Sequence, residues 1–123
     1  MITASLKNIR ISPRKVRLVA DMIRGKKVSV AKTILLTAAK KAKHPIMGLL
    51  DSAVANASHN HKIDAETLFV KEIRVDQGLV MKRSMPVSRG SAHPIKKKTS
   101  HVFVVLEPRA VVAKTAAKTS KKK

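Results

Sequence analysis

Lys82-Arg83 and Lys96-Lys97-Lys98 stand on either side of Arg89, in a stretch with no carboxylate between Gln77 and Leu106. Side chains of this kind at this density are suited to binding phosphate, by charge and, for arginine, by a planar fork of donors. A second basic group lies nearer the amino terminus: Arg10, Arg14, Lys15, Arg17 and Arg24, followed by Lys26 and Lys27. Other chemistry has less material. The glycines Gly25, Gly48, Gly78 and Gly90 are scattered and make no phosphate-cradling loop. Asp51, His59 and several serines fall into no spacing typical of a nucleophilic triad. His59 and His61 would point to different sides of a helix, which argues against a shared metal. Cysteine is absent, so disulfides and thiolate metal sites are excluded. No catalytic residue, metal, cofactor or small-molecule substrate is therefore expected. An RNA-cleaving enzyme would need an acid/base pair near the phosphates, and the basic stretch offers only His93.

The whole chain shares this bias. Lys and Arg number 27 against 7 Asp and Glu, a formal charge of +20 on 123 residues. So large an excess opposes compact folding unless a polyanion neutralises it. Nucleic acid, an anionic membrane surface and an acidic protein are all candidates on composition alone. No apolar run approaches the roughly 18 residues of a membrane span, and the amino terminus lacks the apolar stretch of a signal peptide. A cytoplasmic protein without a membrane partner is expected. Phe69 and Phe103 are the only aromatic residues of the Phe/Tyr/Trp class; they suit a core better than a base-stacking platform, although a stacking pair is open to them. The mode of binding left is Lys and Arg on phosphates, with polar groups reaching 2′-hydroxyls if the partner is RNA. A general DNA-binding protein of nucleoid type is the alternative. Against it, the first predicted helix carries phosphate-seeking Arg and Lys rather than polar base-reading residues.

The elements that must position these cations follow from periodicity. A short strand is predicted over 2–11, where Ile9 and Ile11 alternate with Asn8 and Arg10. Ser12 as a cap and Pro13 at the first helical position open a helix over 13–24 that Gly25 ends; Val16, Val19, Ala20 and Ile23 form its inner stripe. A second helix is predicted over 29–42, with Lys40, Lys41 and Lys43 at its carboxyl end, and His44-Pro45 should break it. A third runs from Pro45 to His59 with Ile46, Leu49, Leu50, Ala53, Val54 and Ala57 inward. The period then changes to two. Phe69, Ile73 and Val75 should share one face of a strand over 67–76, and Val102, Val104 and Leu106 one face of another over 101–107. The fold class expected is α+β: three helices packed on a small three-stranded antiparallel sheet, with a long extended β-hairpin over about 77–100. Pro86 and Pro94 should mark irregular parts of that hairpin, and Ser88-Arg89-Gly90-Ser91 its turn, with Arg89 at the tip. Residues 1–107 are read as a single domain, and 108–123 as a basic tail that stays disordered until RNA binds.

Several of these segments resemble one family. The run Lys15-Val16-Arg17-Leu18-Val19-Ala20-Asp21-Met22-Ile23-Arg24-Gly25-Lys26-Lys27-Val28 is similar to the first helix of the universal large-subunit ribosomal protein twenty-two family. Asp51 through Asn60 looks like its third helix; Met81-Lys82-Arg83-Ser84-Met85-Pro86 and Thr99-Ser100-His101-Val102 look like the two arms of its hairpin. The resemblance covers roughly residues 4–107 and favours the bacterial type. It implies a structural protein of the ribosome that binds large-subunit ribosomal RNA and supports subunit assembly. Its hairpin would run inward to the peptide exit tunnel beside ribosomal protein four. Met85, Pro86, Val87, Ser88, Arg89, Gly90, Ser91 and Ala92 would then form the tip that lines the tunnel and meets the nascent peptide.

Overall fold

The stripe between Ser12 and Gly25 forms helix α1 (Pro13–Ile23), which buries Val16, Val19, Ala20 and Ile23 completely. The structure, a computed structural model, describes residues 1–109; of the tail predicted to be disordered, Pro108 instead pairs with Leu68 and the Arg109 N–H donates to the Thr67 carbonyl at 2.9 Å, while the rest, from residue 110 on, lies outside the described residues. Ser12 starts α1 through its extended backbone and a carbonyl that accepts from the Lys15 and Val16 amides at 3.1 and 3.2 Å. Its hydroxyl makes no capping bond, so the fixed φ of Pro13 sets the start of the helix. Gly25 takes φ 73°, and its N–H donates to the Val70 carbonyl at 2.9 Å while the Val70 N–H returns to Lys26 at the same distance. The left-handed glycine thus turns the end of α1 onto the sheet.

Helix α2 (Val28–Thr37) ends at Thr37, not at Ala42 as the apolar spacing predicts. The hydroxyls of Thr33 and Thr37 donate back to the carbonyls of Ser29 (3.2 Å) and Ile34 (3.0 Å), and Lys43 Nζ donates to the Leu36 carbonyl at 3.3 Å. Lys43 thereby satisfies a last-turn carbonyl that a further turn would otherwise have used, whereas the Ile34 carbonyl already accepts the Ala38 N–H at 3.0 Å and Ser29 lies in the first turn. Ala38 and Ala42 are still buried, but from a non-helical connection. Helix α3 (Lys43–His61) starts two residues before Pro45, which is tolerated because first-turn amides have no intrahelical acceptor. It buries Ile46, Leu49, Leu50, Ala53 and Ala57, with Val54 only partly covered.

The sheet contains β1 (Ile2–Ile9), β2 (Leu68–Pro86) and β3 (Ala92–Pro108) in the order β1-β3-β2, antiparallel throughout. Central β3 sets Val104 between Ala4 and Ile73, and Val102 between Leu6 and Val75. Its buried face joins the helix stripes in one core, as an α+β fold requires. Phe69 departs from the expected register. Lys71 has no partner between the pairs Val70↔Leu106 and Glu72↔Val105, and this bulge inverts the facing of the residues before it. Val70 therefore takes the core position. Phe69 lies half-buried on the other face, with Lys27 Nζ 5.8 Å and the Arg109 guanidinium 5.5 Å from its ring centre; Phe103 has Arg74 at 5.3 Å. Both rings carry cations instead of filling the core.

Strands β2 and β3 continue past the globule as the two arms of the hairpin, paired from Val80↔Lys98 to Pro86↔Ala92. The prolines do not interrupt this ladder. Ser84↔Pro94 and Pro86↔Ala92 are two positions apart, so both prolines share one phase, the one whose amide position faces outward from a two-stranded ribbon. The Val87 N–H donates to the Ser91 carbonyl at 3.0 Å and closes a turn in which Arg89 and Gly90 have φ 59° and 69°. Every residue of the core cluster lies at or before Val75, or at or after Val102. Replacing residues 82–96 by Asn-Gly, to join the paired Met81 and Lys97, should therefore keep the melting midpoint within about 4 °C and the transition cooperative. A broad melt by circular dichroism would mean that the hairpin carries part of the core.

Candidate nucleic-acid interface

Because side chains alternate along β3, Lys96 and Lys98 continue the face that buries Ser100 and Val102, the face on which the helices pack. The hairpin root therefore opens towards the start of α1 and the α2–α3 connection. A concavity of about 460 Å³ lies between them, lined by Arg10, Lys41, Lys96, Lys97 and Lys98 with Ser12 and Met81. A smaller one, about 220 Å³, adjoins it between Arg14, Arg17, Gln77 and Lys98. Arg10, Arg14, Arg17, Lys96, Lys97 and Lys98, separate in sequence, thus share one surface. Further out, Lys82 stands directly opposite Lys96, and Arg83 opposite Ile95, so both faces of the ribbon carry charge. Arg89 is exposed at the tip among Met85, Pro86, Val87, Ser88, Gly90, Ser91 and Ala92; of these only Val87 is partly covered.

Other predicted residues lie elsewhere. Lys26 and Lys27 follow α1 at the end remote from the hairpin, near Phe69. Arg24 is held by Asp21 at 2.6 Å and donates to the Ile73 carbonyl at 3.1 Å. Arg17 donates twice to the Val75 carbonyl, at 3.3 and 3.1 Å. Strand β2 is an edge strand, and these two arginines satisfy carbonyls that its open edge would leave free. Lys15 turns away from the concavity and lines a separate recess with Leu18 and Lys41. Lys41 is the residue that sequence reasoning missed. The apolar spacing predicts it at a helix end, whereas the stop at Thr37 frees it to face the hairpin. Thr33 and Thr37, whose hydroxyls return to carbonyls one turn back, are compatible with a continued helix and do not mark that stop.

The acids leave this surface uncompensated. The ion pairs among the described residues join Asp21 to Arg24, Asp51 to Lys32, Glu107 to Lys71 and Asp76 to Arg74, all partly exposed. None involves a cation of the hairpin or its root. Like charges gathered around a concavity repel, so an anion placed there relieves a cost the free protein carries. No three His, Cys, Asp or Glu side chains among the described residues converge as a metal site would need. Arg14 and Arg17 line the same concavity but should differ in what their loss does to stability. Arg17→Ala should cost about 1 kcal/mol of stability in urea by losing its bonds to β2. Arg14→Ala should change stability by less than about 0.5 kcal/mol yet weaken binding of a polyanion at this surface. Equal stability losses would refute the distinction.

The chain has relatives among known proteins. The family model described as ribosomal protein L22p/L17e matches residues 4–107. The chain is 50% identical over 103 residues to the large ribosomal subunit protein uL22 of Acholeplasma laidlawii (strain PG-8A), covering 84% of this chain and 93% of that one. It is 53% identical over 98 residues to that of Desulfitobacterium hafniense (strain Y51), covering 80% and 86%. It is 51% identical over 106 residues to that of Myxococcus xanthus (strain DK1622), covering 85% and 93%.

Proposed function

We infer the function from one premise: the chain belongs to the ribosomal protein L22p/L17e family. It is a structural component of the large subunit in the cytoplasmic ribosome, where it binds ribosomal RNA and supports subunit assembly. The observation that carries the RNA reading is the unpaired cationic surface that runs from the root along both faces of the hairpin. Arg10, Arg14, Lys15, Arg17, Arg24, Lys26 and Lys27 bind RNA on the body of the protein; Lys82, Arg83, Arg89, Lys96, Lys97 and Lys98 bind it on the hairpin. Lys41 joins the first group. The ribbon, roughly 30 Å long at about 3.3 Å per residue, reaches through RNA to the peptide exit tunnel. Its tip, Met85 to Ala92, lines the tunnel beside ribosomal protein four and meets the nascent peptide. No helix of the described residues is long and apolar enough to cross a membrane. The fold runs through Pro108, which pairs with Leu68, and the basic segment after it adds a further RNA contact.

The test is competition. The full chain, bound to large-subunit ribosomal RNA at about 0.1 M salt, is challenged with duplex DNA of equal phosphate concentration. The RNA complex should persist and should weaken steeply as salt rises. Displacement by DNA at parity would favour the general DNA-binding reading instead.

A further inference from the structure

We propose that the hairpin root holds an unpaired nucleotide of the RNA, with its phosphates in the cationic concavity and its base in an apolar recess on the far side of Lys41. The proposal rests on the RNA reading above and adds what part of the RNA is recognised. Two cavities of opposite character adjoin there. The first is the concavity of about 460 Å³ described above, whose Arg10, Lys41, Lys96, Lys97 and Lys98 have no ion-pair partner among the described residues. The second, about 410 Å³, is lined by Ile11, Leu18 and Ala42 together with Lys15, Lys40 and Lys41. Lys41 lines both, so the two cavities are neighbours across a single side chain.

The chemistry of the pair selects the ligand. A phosphate satisfies the first cavity but gains nothing from the second. Leu18, 58% exposed on α1, leaves apolar surface open to water at the recess, which only an apolar or π-faced group would cover to advantage. An apolar side chain of a protein partner would fill the recess but leave the neighbouring cations uncompensated. A nucleotide carries both parts, an anion and a flat base, joined over about the span of one residue. In duplex RNA the bases are stacked inward, so such a site favours RNA whose nucleotide is already extruded and spares the cost of unstacking it. The lysines around the recess can donate to base-edge acceptors without demanding a particular base.

The full chain should be titrated with two RNA hairpins that are identical except for one unpaired, bulged nucleotide. The bulged RNA should bind about tenfold more tightly, a gain in the range that burying one base contributes. Leu18→Gln, at an exposed helix position that tolerates a polar residue, should reduce that preference to about one without weakening the paired RNA. Lys96→Ala with Lys98→Ala should weaken both RNAs together. Equal binding of the two RNAs by the native chain, or a preference that survives Leu18→Gln, would overturn the proposal. Either result would leave the RNA reading intact as long as paired RNA still binds with a steep salt dependence. If neither RNA binds, both readings fail.

Discussion

Replacing Lys82, Arg83, Lys97 and Lys98 together by alanine should lower affinity for large-subunit ribosomal RNA on the order of a thousandfold at about 0.1 M salt. The estimate comes from counterion release. Each phosphate contact steepens the dependence of log affinity on log salt by about 0.7 to 0.9, so removing four flattens the slope by about 3. Because that contribution vanishes near 1 M salt, the variant and native chain should converge there. The same substitutions should not harm the fold. All four side chains are exposed, and the core cluster contains none of them. Lys82 faces Lys96 across the ladder, an opposition of like charges that costs stability, so its loss should be neutral or slightly stabilising. Binding and stability would then move in opposite directions, which a general unfolding effect cannot produce. Filter binding between about 50 and 500 mM salt reads the slope; a variant with the native slope would show that the hairpin does not contact phosphate.

How much of this was legible in the sequence depended on whether a local signal coincided with the tertiary one. Helix α1 was legible because Pro13 fixes φ at its start, Gly25 permits the positive φ just past its end, and the stripe between them faces the core without interruption. The end of α2 was not. Ala38 and Ala42 keep the helical spacing of small apolar residues and are buried, yet they pack from a non-helical connection. Periodicity reports which residues go inside, not the backbone conformation that carries them there. Phe69 was misplaced for a related reason: one unpaired residue, Lys71, reverses the facing of a strand, and nothing in the side chains nearby marks the bulge. The hairpin prolines failed as breakers because a ribbon outside the sheet has two open edges, so a residue without an N–H can be placed where no bond is due. The predicted site fared likewise. Individual cations could be read from the chain, but their grouping could not. Arg10 and Lys97 meet only because β3 sits at the centre of the sheet and carries the hairpin root past α1. Lys41 meets them only because α2 stops early.

The direction of the hairpin rests on a few residues at its root, and Gly78→Ala should expose that dependence. Pairing of β1 with β3 reaches Ser100 and goes no further, and between Gln77↔Ser100 and Val80↔Lys98 the two residues Gly78 and Leu79 oppose Thr99 alone. A bulge of this kind bends and twists the strand that carries it, so it sets the angle at which the ribbon leaves the sheet. Thr99, 4% exposed, fixes the bulge by donating from Oγ1 to the Leu79 carbonyl at 2.6 Å. A Cβ on Gly78 would stand 2.5 Å from that oxygen and 3.1 Å from the ring of His101. His101 is itself constrained, since its Nδ1 accepts the Asn8 N–H at 3.0 Å. The threonine must therefore give way and lose its bond. Gly78→Ala should cost about 1 to 3 kcal/mol and should lower RNA affinity about tenfold although no charge is removed, because the re-aimed arm separates Lys96 and Lys98 from Arg10 and Lys41. Thr99→Ala alone should cost about 1 kcal/mol for the lost bond. Combined with Gly78→Ala it should cost less than the sum of the two by about 1 kcal/mol, because the oxygen in the way is gone. Strictly additive losses in chemical denaturation would show that the methyl group meets some other obstacle and that Thr99 does not hold the arm in place.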